Sequence, residues 1–246
     1  MTARALSTAV ELKTPRIVAS AIVSRLPQIT REPTSFEHAY HQYREAQASA
    51  KAAPVPVDFY FKKGSEAERT WQQRERGELS EAAWAQLRAA GDGQPLELAG
   101  RVSKADQEGD RRSLDRALQR TLYLVVKRPR DRYQWQFPQG GVEAEEALHD
   151  AGRRELAEEC GPDMDIWFVG RRPVGFTQYA YPTEHTKKFP EHDGAKVFFL
   201  RAHIFAGQAK VDGKETVDFA WLTKEELSEV LEPDYFNAVA DILPTN

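Results

Sequence analysis

Apolar positions fall into two regimes along the chain. From about residue 117 to 246, short apolar runs alternate with amphipathic stretches, the pattern of a mixed α/β domain. Residues 121–127 carry Leu122, Tyr123, Leu124, Val125 and Val126 and predict a strand. Residues 135–137 predict a short extended segment and 166–176 a strand interrupted near Pro173. Residues 195–205, with Val197, Phe198, Phe199 and Leu200, predict a long strand, and 217–222 another. Thr223 with Glu226 reads as a capping box for a helix through Leu231. Pro233 opens a last helix that turns Phe236, Val239, Ala240 and Leu243 inward. The polar stretch 178–193, with His185, Lys187, Lys188 and His192, reads as a loop that is either solvated or a contact for phosphate or RNA.

Residues 1–116 are irregular and rich in Arg, Glu, Gln and Ala. An apolar run over 17–23 predicts a short strand, after which Pro27 and Pro33 break the chain. Phe36, Ala39, Tyr40, Tyr43, Ala46 and Ala50 recur at helical spacing and predict an amphipathic helix over 35–52, with Gln47 the polar interruption. This aromatic stripe either packs within the chain or docks on a partner. Residues 52–56 read as a linker. Residues 64–76 read as a solvated helix ended by Gly77, and Ser80 as the cap of a second helix carrying Ala83, Trp84 and Leu87 to Gly91. Residues 103–112 read as a loop or mobile segment. The pattern thus divides the chain into an extension, 1–116, and a folded domain, 117–246, with a mixed β-sheet packed between helices.

Candidate chemistry lies in one stretch, 140–161, for which a single helix is expected over 143–160. Glu155, Glu158 and Glu159 stand at i, i+3 and i+4, which places three carboxylates within roughly 100° of one helix face. Like charges this close are relieved by a cation, and hard oxygen donors suit Mg²⁺ or Mn²⁺. A metal there would polarise a pyrophosphate and activate water. The same spacing also describes a solvated, salt-bridged face. Arg154, four residues before Glu158, is placed to orient the acids. Gly140 and Gly141 allow close backbone approach ahead of the helix, and Gly161 followed by Pro162 reads as a left-handed C-cap. Glu215 or Asp218 could add a further acid, or be ordinary surface carboxylates.

Composition narrows the choice. In 246 residues, 41% hydrophobic content supports a core, and no apolar run reaches the roughly 18 residues that span a membrane. The formal net charge of −4 excludes a broad basic field, so any RNA contact is local, or protein partners dominate. The single cysteine, Cys160, permits no internal disulfide and reads as a small packed side chain in a reducing compartment. Arg4, Lys13, Arg16, Arg25 and Arg31 against the one acid Glu11, with frequent Ser, Thr and Ala, are compatible with a mitochondrial transit remnant or an ordinary basic tail.

Gly140, Glu146, Arg154, Glu155, Leu156, Glu158, Glu159 and Gly161 match the Nudix box at its full spacing, with only Pro162 off pattern. Residues 135–141, Trp-Gln-Phe-Pro-Gln-Gly-Gly, resemble the entry to the box in Nudix enzymes acting on dinucleoside polyphosphates and RNA 5′ ends. That resemblance implies a Mg²⁺-dependent pyrophosphohydrolase with Glu158, Glu155 and Arg154 catalytic, Glu155, Glu158 and Glu159 on the metal, and Gly140, Gly141 and Glu146 at the bound group. A second resemblance points elsewhere. Residues 194–207 and 221–235, with 17–27 and 33–37 at the start, are similar to the mitochondrial large-subunit ribosomal protein family numbered forty-six. It implies a Nudix fold used as a structural piece of the ribosome in the mitochondrial matrix. There it would be held by other large-subunit proteins near the central protuberance, with limited rRNA contact, no membrane association and no required cofactor. That family often has an eroded box. Here the box acids survive, so Mg²⁺ binding stays open. Fold alone does not establish activity, and the long extension favours the ribosomal role.

Overall fold

In the computed structural model, which describes residues 15–78, 80, 99–181 and 192–244, an eight-stranded mixed sheet carries the folded part. The strands are β1 (Arg16–Arg25), β2 (Leu122–Lys127), β3 (Trp135–Gln136), β4 (Gln139–Gly141), β5 (Asp165–Phe168), β6 (Gly175–Ala180), β7 (Gly194–Ala206) and β8 (Asp218–Leu222). The main path runs β3-β2-β1-β7-β5, with β4 on β1, β6 on β7 and β8 on β2.

The described helices are α1 (Ser35–Lys51), α2 (Val57–Tyr60), α3 (Glu66–Glu75), α4 (Lys104–Glu108), α5 (Leu148–Cys160), α6 (Lys224–Val230) and α7 (Pro233–Val239). Among described residues, no helix is long and apolar enough to cross a membrane. Residues up to Arg31 form one compact unit with those from Arg101 onward, and Glu32–Gly100 form another.

β1, which the sequence assigns to the extension, lies at the centre of the sheet. It runs parallel to β7 from Arg16↔Ala195 to Ser24↔His203 and antiparallel to β2 and β4. Its run is buried almost throughout, which suits a central strand covered on both faces. One face packs Ala19, Ala21 and Val23 with Leu200 and Trp221 against Ala151, Leu156 and Cys160 of α5. The other packs Val18, Ile22, Phe137 and Phe199 against Leu227 of α6 and Val239 of α7. This is the expected mixed sheet between helices.

Local signals set most boundaries. Thr34 caps α1 and Thr223 caps α6, each in a full capping box, and Pro233 stands in the first turn of α7. Val239 and Leu243 are buried as predicted. Several boundaries move. Residues 103–112 are not featureless: Ser103 and Asp106 form a capping box that starts α4, closed by Gly109 in the left-handed region. The region 166–176 becomes two strands, both on β7, separated by a turn at Gly170 and extended through Ala180 because β7 offers partners as far as Gly194. The predicted helix from Ser80 and the residues His185, Lys187 and Lys188 lie outside the described residues.

The helix of the 140–161 stretch starts at Leu148, not at 143. Residues 143–147 instead form a turn closed by Glu146 N–H to Glu143 O (3.2 Å) and by Glu143 N–H to the Glu146 carboxylate (3.1 Å). All three candidate acids remain on α5. Gly161 has φ 79° and ψ 164°, which is not the left-handed cap expected but a region open essentially to glycine.

Candidate functional site: an arginine-bridged acidic box

β4 brings two glycines against the middle of α5, at Arg154 and Glu155. At Gly140 a side-chain carbon would fall on the carboxylate of Glu155, and at Gly141 on the guanidinium of Arg16. The absent side chains are what let the acid sit over the strand. Ala19↔Gly140 and Val18↔Gly141 register this loop on the central strand.

Arg154 gathers the acids. Its Nε and Nη2 donate to the two oxygens of Glu146 (3.0 and 2.9 Å), Nη2 also to Gly141 O (2.9 Å), and Nη1 to Glu155 Oε1 (2.8 Å). Its contact with Glu158 is looser, 3.5 Å, and the Glu158 side chain is 59% exposed. The bidentate bond to Arg154 holds Glu146 below the usual carboxylate range and raises Arg154 above its own. Burial pushes Glu155 up, against the pull of Arg154.

Glu159 points the other way, into the protein. It is 3% exposed and paired with Arg128, which also donates to Gln139 O (3.1 Å). Burial pushes its carboxyl up to about 7, with Arg128 opposing. Arg128 escapes notice in the sequence. Its only signal is a basic residue directly after the apolar run of β2.

The structure therefore brings Gly140, Gly141, Glu146, Arg154, Glu155 and Glu158 together and turns Glu159 inward. Glu215 reaches only the edge, 3.7 Å from Arg128. Asp218 is engaged instead by Arg112 at 2.8 Å.

The donor set has the chemistry for a hard cation, and two buried acceptors at the site, Glu159 Oε2 and Gln139 Oε1, lack hydrogen-bond partners. As placed, however, two guanidinium groups already bridge the acids. Among described residues no three His, Cys, Asp or Glu side chains converge as a metal cage. The arrangement fits arginine better than a resident metal.

The family comparisons agree with this geometry in two parts. The model of 39S mitochondrial ribosomal protein L46 matches residues 15–106, and that of the NUDIX domain residues 114–244. Large ribosomal subunit protein mL46 of Neurospora crassa is 33% identical over 91% of this chain and 75% of its own length. The chain belongs to the mL46 family. The mL46 of Schizosaccharomyces pombe is 32% identical over 90% of the chain and 82% of its own length. The Nudix part is also similar to an RNA pyrophosphohydrolase of Caulobacter vibrioides, 34% identical over 41% of the chain and 62% of that protein. The similarity to hydrolases is thus confined to the Nudix part, whereas the similarity to mL46 proteins runs through both parts of the chain.

Proposed function

We infer that this chain is a structural constituent of the mitochondrial large ribosomal subunit, with its Nudix fold serving as a protein-docking block. The observation that carries the reading is similarity to mL46 proteins over 90–91% of the chain, spanning both the extension and the folded domain. The mitochondrial location follows from the same similarity.

The surface supports docking. None of α1, α2 and α3 has a buried residue. Phe36 is 76% exposed, with Tyr40 and Tyr43 beside it on α1 and Phe59 and Tyr60 exposed on α2. Phe36 and Tyr40 stack on each other at 6.4 Å. Large exposed aromatic stripes mark interaction sites. The partners in this reading are neighbouring large-subunit proteins near the central protuberance, and the net charge of −4 keeps rRNA contact limited and local. The test is sedimentation from mitochondria. The chain is expected to travel with the large subunit through high-salt washing, and recovery in the free soluble fraction would refute the reading.

The box favours a second reading, pyrophosphate hydrolysis, through the likeness to an RNA pyrophosphohydrolase and the survival of Glu155, Glu158 and Glu159. Purified chain incubated with Mg²⁺ and triphosphorylated RNA or diadenosine polyphosphates would release phosphate or mononucleotide. Activity unchanged in Glu158→Gln would remove the box as its source.

A further inference from the structure

α1 is a helix of 17 residues, none of them buried. A lone helix of that length is marginal in water, because helices draw most of their stability from packing an apolar face. Its ends are well made. Thr34 and Glu37 close a capping box at the start, and Lys51 stands in the last turn. The face between those ends is therefore the place where a partner would complete it.

That face is narrow. Phe36, Tyr40, Tyr43, Gln47 and Ala50 follow one another at steps of four, three, four and three residues. At about 100° per residue they fall within an arc of roughly 80°. A helix that lies on a sheet or a globular core shows a broader apolar face, whereas this alternation is the seam of a helix pair. Phe36 is 76% and Tyr43 59% exposed along it. Gln47 stands mid-seam, its amide donating to the Tyr43 hydroxyl (2.5 Å). A polar residue at such a position fixes the register of two helices at some cost in stability.

The flanks of the seam differ. One side carries Arg44 and Lys51, both exposed and neither in an ion pair among the described residues. Glu37 on that side is engaged in the cap, accepting from the Thr34 N–H (2.8 Å). The other side carries Ala39 and Ala46. The free charges beside the seam are thus basic. RNA is a poor match for this helix, whose two cations are balanced by Glu37 and Glu45.

We propose that α1 pairs with a helix of a neighbouring large-subunit protein. That helix has apolar residues at the same three-and-four spacing and carries Asp or Glu on the flank that meets Arg44 and Lys51. The inference rests on the ribosomal reading and names the kind of protein segment that the docking arm takes. α1 spans about 25 Å, room for about two and a half heptads of such a partner.

The test uses the full chain and a fluorescein-labelled synthetic peptide of three heptads, with Leu at both seam positions and Glu on both flanks. A Lys-flanked peptide is the control. The Glu peptide is expected to bind, and the Lys peptide to bind about tenfold more weakly or less. Arg44→Glu with Lys51→Glu, at exposed positions, should reverse that preference, because two attractions become two repulsions. Gln47→Leu should tighten binding several-fold, as replacing a polar seam residue does. No binding, equal binding of the two peptides, or an unchanged preference in the reversal variant would overturn the proposal. Photocross-linking from position 47 in purified large subunits, with benzoylphenylalanine replacing Gln47, separates this inference from the ribosomal reading. Attachment to a helix of one neighbouring protein supports it. A chain that co-sediments yet attaches to a strand, to RNA, to a second copy or to its own folded part overturns it and leaves the ribosomal role standing. A chain that does not co-sediment overturns that role, and the peptide measurement still decides the seam.

Discussion

Arg25→Met asks whether the first strand belongs to the Nudix sheet. Arg25, the last residue of β1, is 4% exposed. Its guanidinium donates to the carbonyls of Leu26 (3.1 Å), Arg120 (3.1 Å), Ala117 (3.2 Å) and Arg116. Burial pulls its ionisation below the ordinary arginine value, with Asp115 opposing, so the charge is held at a desolvation cost that these carbonyls offset. Methionine keeps the length and volume but leaves buried carbonyls without donors. A buried acceptor left unsatisfied costs about 1–3 kcal/mol, so losing the donor shared by these carbonyls costs on the order of 4 kcal/mol. In a unit of this size each kcal/mol moves the midpoint by about 2–4 °C, so the midpoint should fall by on the order of 10 °C. Thermal unfolding followed by circular dichroism measures it, and hydrogen exchange should show the amides of 116–120 losing protection first. A fall of less than about 2 °C, or no change in exchange at 116–120, would refute the view that β1 clamps this segment.

Ala117 has φ 42° and is held there by its N–H to Asp106 Oδ1 at 2.8 Å. Ala117→Gly should therefore stabilise the chain by about 0.5 kcal/mol, and destabilisation in the same thermal assay would show the backbone is not strained. Phe36→Ala with Tyr43→Ala removes exposed rings, so unfolding of the free chain should change by less than about 0.5 kcal/mol, while salt resistance of subunit association drops about tenfold or more; unchanged association would place the contact elsewhere. Glu159 has its folded value raised to about 7, so the native state keeps a proton that the unfolded chain has already released. Stability should then fall as pH rises from about 5 through 7, by at most about 3 kcal/mol. Glu159→Gln should flatten that slope in urea unfolding, and a slope equal to wild type would mean the carboxyl titrates normally.

Much of this was legible in the residues. The box spacing carried the Nudix fold, because glycines and acids at fixed offsets report a loop and a helix packed together. The capping box at Thr223 carried a helix start, because the cap bonds are local. β1 was legible as a strand but not as the sheet's centre, since its partner β7 lies about 180 residues away and no local signal announces a parallel pairing. The start of α5 at Leu148 was hidden for the opposite reason. The turn at 143–147 is held by Arg154, a helix residue reaching back to Glu146. Likewise Glu159 reads from spacing as one of three equal acids, yet the approach of Arg128 from β2 sends it inward.

The most direct test of the account is site-specific photocross-linking from position 40, with benzoylphenylalanine replacing Tyr40 in chain assembled into mitochondrial large subunits. A docking arm predicts a covalent bond to another large-subunit protein. Cross-linking confined to this chain's own residues, or a photoreactive chain found only outside the subunit, would contradict it.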